Sequence, residues 1–374
     1  MSKPTGDHPG RAGLLVLGLA TFALMGAVLA LFGPSLPGIQ RDFGLEPGEA
    51  ALVISIQAAG SAVGIGLVYL YGMRVPPRLS LALMGLGAAG IATMAGWGPV
   101  LLSALTFGAG YGVAAAVFNP RILAAFGPRG PSMLSLINTV FGLGAILAPI
   151  AFVALGAEIR LAFGGAALLL AIVFAAGAWL GGGPAEPAAP TAIPGPKPAL
   201  RIDWPILGFG AVGVGMESAL IGLGPSALIA AGAGEAAASG LLSVFFIAFV
   251  AARGVLVLFA DRLPPFAIYQ GGMGLATLAA IGVVLVAPGP FFVLLGFATG
   301  LFFPSFFVTA TKAMGADPRV APVALTAGLV GAVSLPLVLG RLMGGFGPLG
   351  FFWLVLALTG TVLVLALVVG RRRR

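Results

Sequence analysis

Long apolar stretches, separated by short polar or charged segments, repeat along the whole chain. A hydrocarbon core of about 30 Å requires roughly 20 apolar residues per helix, and twelve stretches approach that length. They do not alternate in polarity as membrane strands do, so the pattern predicts an all-α membrane protein with twelve transmembrane helices. The predicted limits are 13–36, 49–72, 79–97, 99–119, 131–155, 160–181, 204–231, 238–260, 264–287, 289–312, 320–342 and 347–370.

A segment rich in Pro, Ala and Gly, "GGGPAEPAAPTAIPGPKPALR" (181–201), divides the stretches into two sets of six. This composition is typical of an unstructured linker. Two six-helix halves around a linker are the plan of many secondary transporters, whose halves rock around a central site. The predicted parts are a cytoplasmic tail (1–12), an N-terminal six-helix bundle (13–181), a cytoplasmic linker (182–203), a C-terminal six-helix bundle (204–370) and a basic tail (371–374).

Basic residues are concentrated in alternate loops. Of the 19 Lys and Arg residues, all but Arg41, Arg160 and Arg341 fall in one set of loops and tails. Lys and Arg are retained on the cytoplasmic side, so both termini are predicted to be cytoplasmic. The net charge of +8 is spread over short loops, a distribution that does not favour nucleic-acid binding. The expected location is a cell membrane, and specifically a bacterial cytoplasmic membrane.

Composition excludes several function classes. Apolar residues make up 59% of the 374 positions and charged residues 8%, unlike a soluble domain. There is no cysteine, and the single histidine, His8, lies in the N-terminal tail, so no metal site and no Ser-His catalytic chemistry are expected. No ATP-binding Walker sequence is present. We therefore expect neither an enzyme nor a cofactor. The 60 glycines suit helices that approach closely and slide.

One acidic residue lies in the middle of an apolar stretch. The segment "GVGMESALIG" (213–222) places Glu217 about 20 Å from Trp204, near the bilayer midplane. A charge there costs about 2.5–3.5 kcal/mol on insertion scales, so the acid is either protonated or neutralised by a cation. Because such a group can bind a proton on one side and release it on the other, Glu217 is the predicted proton-coupling residue. The alternative is a protonated structural group that donates a hydrogen bond to the backbone of the first or eleventh predicted helix.

Other polar side chains in the stretches are sparse, and some are candidates for lining a substrate cavity. Arg253 could be the counter-ion of an anionic substrate, or it could extend to the membrane surface or contact another helix. Asn119 could line the cavity, but its place at the end of a helix favours capping. Few amides and 26 phenylalanines favour a cargo less polar than a sugar, such as an amphiphile, drug or metabolite. The remaining candidates are Gln57, Ser61, Tyr111 and Asn138, whereas Tyr269 and Gln270 are expected to be peripheral.

Four segments are similar to one known family. They are "FNPRILAAFGPRGPSMLSLINTVFGLGAILAPI" (118–150), "VGMESALIG" (214–222), "ARGVLVLFADRL" (252–263) and "GFATGLFFPSFFVTATKAMG" (296–315). The chain resembles the fucose permease branch of the major facilitator superfamily. The resemblance implies the twelve-helix fold, a cavity position for Asn138, and a gating loop motif formed by Gly72, Arg74, Gly254, Asp261 and Arg262.

The sequence also departs from that branch. Gly33 and Ala115 stand where the family has the acids that carry proton coupling and sugar recognition. L-fucose is therefore not the expected substrate. We predict a monomeric secondary active transporter that moves a small organic solute by alternating access, with coupling to protons through Glu217. The alternatives are a sugar/proton symporter like the resembled branch, and a passive facilitator or lipid scramblase without ion coupling.

Overall fold

The protein is built almost entirely of helices. The structure, a computed structural model, describes residues 9–179, 201–259, 262–315 and 319–372. Most of the predicted linker therefore lies outside the described residues. The helices are α1 (Pro9–Phe43), α2 (Pro47–Ala50), α3 (Leu52–Tyr71), α4 (Pro77–Thr93), α5 (Trp97–Phe126), α6 (Gly130–Ala154), α7 (Ile159–Trp179), α8 (Trp204–Ala230), α9 (Glu235–Phe259), α10 (Pro265–Leu285), α11 (Pro288–Gly300), α12 (Phe302–Met314), α13 (Val320–Met343) and α14 (Gly350–Arg372).

Eleven helical stretches in the described part of the chain are long and apolar enough to cross a membrane. Helices α11 and α12 form one of them, Pro288–Met314. The third predicted stretch is also helical, but α4 has only 17 residues and is not among the eleven. The prediction of an all-helical, multi-pass membrane protein is confirmed, and the number of twelve spans stays a prediction.

One predicted helix is interrupted near its middle. The stretch 289–312 is predicted as a single helix, but α11 ends at Gly300 and α12 begins at Phe302. Pro304 has no N–H group, so the Gly300 carbonyl lacks its usual donor four residues later. The Leu301 N–H donates to the Ala298 carbonyl at 3.2 Å, three residues back, and the helix tightens at this point.

Contacts divide the chain into two compact units. The first consists of Met1–Leu29, Ala59–Ala148 and Glu158–Pro194. Inside it, α4 packs between α5 and α7. Helix α3 lies directly against α5, because a Cβ atom at Gly60 would be 2.1 Å from the Leu105 carbonyl oxygen and one at Gly64 would be 2.0 Å from that of Ala109. Glycine thus permits the backbone contact that the composition indicated.

The second unit consists of Ala30–Ala58, Pro149–Ala157 and Gly195–Arg374. Helix α8 packs along α13, where a Cβ atom at Gly331 would overlap the Ala211 carbonyl oxygen. The C-terminal part of α1 also belongs to this unit, and a Cβ atom at Gly33 would be 2.3 Å from the Ile221 oxygen on α8. The predicted division of the sequence into bundles 13–181 and 204–370 stays a prediction.

Candidate functional site

Glu217 is the central residue of the 27-residue helix α8. The helix begins at a defined cap, since the Asp203 carboxylate accepts a hydrogen bond from the Ile206 N–H at 3.2 Å and Pro205 occupies the first turn. Most of its length is buried in the second unit. The central position puts Glu217 about 20 Å from each polar end of the helix.

Two glycines shortly before Glu217 bring other helices close to this part of α8. A Cβ atom at Gly213 would be 3.2 Å from the Phe302 Cβ on α12, and one at Gly215 would be 2.6 Å from the Gly331 oxygen on α13. The Glu217 side chain is half-buried. Among the described residues, no hydrogen bond and no ion pair reaches its carboxyl group. The group is therefore held by helix packing and not by a polar partner.

Arg253 on α9 is the cation that acts electrostatically on Glu217. Its side chain is half-buried, and Cζ lies 4.3 Å from the centre of the Phe249 ring, one helical turn earlier. Its Nε atom is buried and has no hydrogen-bond partner in the described part of the chain. No ion pair within 4 Å joins Arg253 to Glu217, and the salt bridge found among the described residues is that of Arg41 and Glu235.

The cavity candidates of the first unit have different surroundings. Asn138 is exposed and donates through Nδ2 to the Leu134 carbonyl at 2.8 Å, on its own helix. Tyr111 packs edge-on against Phe141, with ring centres 6.3 Å apart. Asn119 is half-buried, and its Oδ1 atom has no hydrogen-bond partner among the described residues.

Gln57 and Ser61 lie on α3, one turn apart as predicted, and both are buried. Gln57 belongs to the second unit and Ser61 to the first. The roles of all the cavity candidates stay predictions.

The gating loop motif is described in part. Gly72 has a φ of +60°, which favours glycine, and it starts the 3-10 turn Gly72–Arg74. Arg74, Gly254 and Arg262 are exposed. Asp261 lies outside the described residues.

Two polar residues are buried where the sequence analysis placed them at the periphery. The predicted limit at 119 puts Arg121 in the loop after the fourth stretch, but α5 continues to Phe126 and Arg121 is only 5% exposed. Its Nη2 donates to the Val75 carbonyl at 3.0 Å and so fixes the segment after α3. Tyr269 is 1% exposed, and its hydroxyl donates to the Phe209 carbonyl at 2.7 Å, which ties α10 to α8.

An exposed ion pair lies elsewhere in the second unit. Arg41, in the last turn of α1, bonds through both terminal nitrogens to the carboxylate of Glu235, the first residue of α9. The side chains are 63% and 44% exposed. Sequence reasoning gave no sign of this pair, since 194 residues separate its members.

A cavity of about 430 Å³ lies between α8 and α13. One of its lining residues, Thr326, has a hydroxyl group, and that group already donates to the Pro322 carbonyl. Glu217 and Arg253 do not line the cavity, which carries no charged side chain. The lining residues are Trp204, Leu207, Gly208, Ala211, Pro322, Val323, Thr326 and Ala327.

No group of His, Cys, Asp or Glu side chains in the described ranges could hold a metal ion. Among the described residues of the second unit, Glu217 and Arg253 are an acid and a cation that are half-buried and lie well inside their helices.

Comparison with solved structures shows which proteins share this architecture. A bacterial homologue of the human lysosomal transporter Spinster, inward-facing and occupied, is 15% identical with a TM-score of 0.76, covering 98% of each chain. The nucleoside transporter NupG is 16% identical with a TM-score of 0.75, covering 96% of this chain and 98% of that one. A D-xylose-proton symporter is 11% identical with a TM-score of 0.73, covering 95% and 97%.

At these identities the likeness establishes the fold. No curated protein matches the chain in sequence. These structures do not confirm the predicted assignment of this chain to the fucose permease branch. The family model of the Major Facilitator Superfamily matches residues 17–329, which is most of the chain. The protein is therefore a multi-pass membrane transporter that belongs to the Major Facilitator Superfamily.

Proposed function

We propose that this protein is a proton-coupled secondary active transporter that moves a small organic solute by alternating access. It acts as a monomer in a cell membrane, with α4 as a twelfth span and both termini in the cytoplasm. The observation that supports this most directly is Glu217, an acid without a hydrogen bond among the described residues, at the centre of α8. A polar group in the membrane without a structural bond is a candidate for function.

Protonation of Glu217 changes the charge in the middle of α8 by one. A carboxylate is less stable in apolar surroundings than in contact with water, so the charge state of the site affects which conformation is favoured. When water reaches the site from one side, Glu217 takes up a proton. When water reaches it from the other side, the proton is released. Coupling follows if cargo binds to one of these charge states better than to the other.

The structural alternative for Glu217 requires a hydrogen bond to a neighbouring helix. The neighbouring backbone is close, because α8 lies against α13 at Gly215 and against α1 at Gly33. The carboxyl group nevertheless bonds to neither helix within the described residues. Packing in this region is accomplished by the glycines, and a methyl or apolar side chain at 217 would serve it as well. The presence of an acid therefore favours a role in coupling.

Exposed polar side chains on the helices of each unit favour a cargo less polar than a sugar. A saccharide needs many directed hydrogen bonds. Asn138 directs one of its donors to its own helix, as do Thr139, Thr326 and Ser334 with their hydroxyl groups. This leaves few free polar groups and many apolar ones, a surface suited to an amphiphile, a drug or an apolar metabolite.

Reconstitution into liposomes with a trapped pH-sensitive dye tests the coupling. A thermal-shift screen of sugars, organic acids, amphiphiles and drugs at two pH values first identifies a cargo. We expect that cargo to acidify the lumen of wild-type vesicles when applied outside, because protons accompany it. Glu217→Gln, which keeps the shape but cannot ionise, is expected to abolish acidification while still exchanging labelled cargo across the membrane. Glu235→Gln, the same change at an exposed acid, is the matched control and retains both activities.

Two results would overturn parts of this proposal. Acidification by Glu217→Gln at the wild-type rate would show that the acid does not couple, and transport without acidification in the wild type would favour a passive facilitator or scramblase. A screen in which only sugars stabilise the protein would contradict the expected cargo and favour a sugar/proton symporter.

A further inference from the structure

The guanidinium of Arg253 presents hydrogen-bond donors that no described group accepts. A guanidinium has five N–H donors along its edge and a flat face that stacks on aromatic rings. Phe249 covers the face, at 4.3 Å from Cζ. Stacking does not use the edge, and the Nε atom there is buried and without a partner in the described ranges. Ring and cation together form a rigid surface with an open row of donors.

Extension to the membrane surface does not account for this geometry. Arg253 lies six residues before the end of α9 at Phe259, about 9 Å along the axis. A guanidinium that reached for lipid head groups would point toward that end and be exposed. Instead it lies over Phe249, on the side of the helix centre, and it is half-buried. The guanidinium therefore lies against the buried Phe249 and not at the end of the helix.

The missing ion pair between Arg253 and Glu217 is the informative feature. Arg253 acts on the carboxylate electrostatically, yet no ion pair within 4 Å forms. The guanidinium donors of Arg253 are therefore not used by the carboxylate, although a charge-assisted bond to an acid is the strongest that they could make. A group that can accept from these donors in place of Glu217 is an anion, and protonation of Glu217 favours its binding.

We propose that Arg253 binds the anionic group of the cargo, and that the cargo is an amphiphilic monoanion, with one carboxylate, sulfonate or similar group on an apolar body. This inference rests on the proposed function and specifies its substrate. Bidentate bonds from the Arg253 edge hold the anion. Phe249 and the apolar side chains nearby contact the apolar body. Ionised Glu217 and the cargo anion compete for the same cation.

Charge balance then fixes the stoichiometry. Without cargo, ionised Glu217 and Arg253 sum to zero. With cargo, Glu217 holds a proton and the anion neutralises Arg253, so the sum is again zero. Each cargo anion is therefore accompanied by one proton, and the transport cycle is electroneutral. The membrane potential is expected to have no effect on its rate.

Other charged groups on the helices around α8 do not share this role. Of the described charged side chains on these helices, Arg253 is the one that acts on Glu217. The remaining ones lie in or near the first or last turns of their helices: Arg11, Arg41 and Asp42 on α1, Glu235 on α9, Lys312 on α12, Arg341 on α13, and Arg371 and Arg372 on α14.

A binding experiment on the purified full-length protein in maltoside detergent tests this inference without a proton gradient. The probe is octanesulfonate, which stays a monoanion across the pH range of the assay, and the matched probes are 1-octanol and octyltrimethylammonium. We expect octanesulfonate alone to raise the melting temperature of the wild type. Arg253→Gln is expected to weaken its binding at least about tenfold, because a charge-assisted bidentate contact is lost. Arg41→Gln, which removes an exposed arginine from the same unit, leaves binding unchanged.

Competition predicts a particular pH dependence. Octanesulfonate is expected to bind the wild type more tightly as the pH falls, because protonation of Glu217 frees Arg253. Glu217→Gln imitates the protonated acid, so its binding should be tight and independent of pH. The pH dependence of Glu217→Gln still tests the inference if Arg253→Gln does not fold. A second fallback is Arg253→Lys, which keeps the charge but loses the bidentate edge and should bind octanesulfonate more weakly than the wild type.

The outcomes separate this inference from the proposed function. Equal binding of octanesulfonate by the wild type, Arg253→Gln and Arg253→Lys would overturn the anion site while leaving proton coupling by Glu217 intact. Equal affinity for octanol and octanesulfonate in the wild type would also overturn it. If Glu217→Gln still couples protons but Arg253→Gln loses the sulfonate, the anion site stands and the proposed coupling residue is wrong.

Discussion

Two arginine and glutamate pairs in the second unit have opposite arrangements. Arg41 and Glu235 are largely exposed, lie at helix ends, and form a two-pronged ion pair. Arg253 and Glu217 are half-buried and well inside their helices, and they do not form an ion pair. The pair that water already stabilises is bonded, whereas the pair that most needs a bond lacks one.

The difference indicates what each pair is for. An exposed ion pair contributes only about 0–1 kcal/mol, and two flexible side chains can find each other at the surface at little cost. Charges inside a membrane are expensive and are retained where they act on ions or substrates. Helix packing at Gly213 and Gly215 fixes the position of Glu217 relative to its surroundings. We therefore interpret the inner pair, Arg253 and Glu217, as functional. The outer pair, Arg41 and Glu235, makes a minor contribution to stability.

Charge reversal gives the largest expected difference between the pairs. Arg253→Glu leaves Glu217 without its cation and adds a second acid nearby, so we expect a loss of about 2.5–3.5 kcal/mol at roughly pH 8, the cost of an uncompensated acid at a helix centre. The loss should shrink toward about pH 5, because protonation removes the charges. Arg41→Glu makes the same change at the exposed pair and should cost about 1 kcal/mol or less. Melting temperatures in detergent at both pH values decide the matter, and equal losses would remove the contrast between the two pairs.

Packing of α1 against α8 is expected to matter more for stability than the pair of Arg41 and Glu235. Gly33 on α1 lies so close to α8 that a Cβ atom would be 2.3 Å from the Ile221 oxygen. Gly33→Ala should therefore push the helices apart and cost about 1–3 kcal/mol, in the range for overpacked positions. Gly240→Ala is the matched control, since it also lies inside a helix but has no atom within 4 Å of its would-be Cβ. The control should melt at the wild-type temperature or slightly above it. A Gly33→Ala protein as stable as the control would show that this part of α1 is loosely held.

The helices could be predicted from sequence because hydropathy alone specifies where a chain can cross a membrane. A helix was found at each predicted stretch, with two instructive errors. The stretch 99–119 is predicted to end before Pro120, but α5 continues through this proline to Phe126 and thereby buries Arg121. The stretch 289–312 is predicted to be continuous, but the helix breaks at Leu301, three residues before Pro304. Proline signals a lost N–H donor, and the surrounding packing decides whether the helix continues.

The candidate site could be predicted only in part. Glu217 could be identified because the linear sequence alone shows an acid within an apolar stretch. Its relation to Arg253 was not, since the two lie on different helices. Tyr269 was expected to be peripheral because it lies near a helix end, yet it is buried by Phe209 and its hydroxyl bonds to that residue's carbonyl. In helices that are apolar on all sides, the sequence gives little indication of which face is buried.

The smallest expected effect is that of separating the outer pair. Arg41→Glu and Glu235→Arg should each cost about 0.2–1 kcal/mol, and the double variant should regain most of that loss because the charges are exchanged but the pair is restored. The coupling energy should also fall when NaCl is raised from roughly 20 to roughly 500 mM, since exposed charges are screened over a few ångströms at high salt. A double-mutant cycle of melting temperatures measures both effects. A single variant that loses more than about 2 kcal/mol, with no recovery in the double variant, would mean that Arg41 and Glu235 hold the end of α1 by contacts other than their mutual charge. In that case the small contribution of Arg41 and Glu235 to stability could no longer be contrasted with that of Glu217 and Arg253.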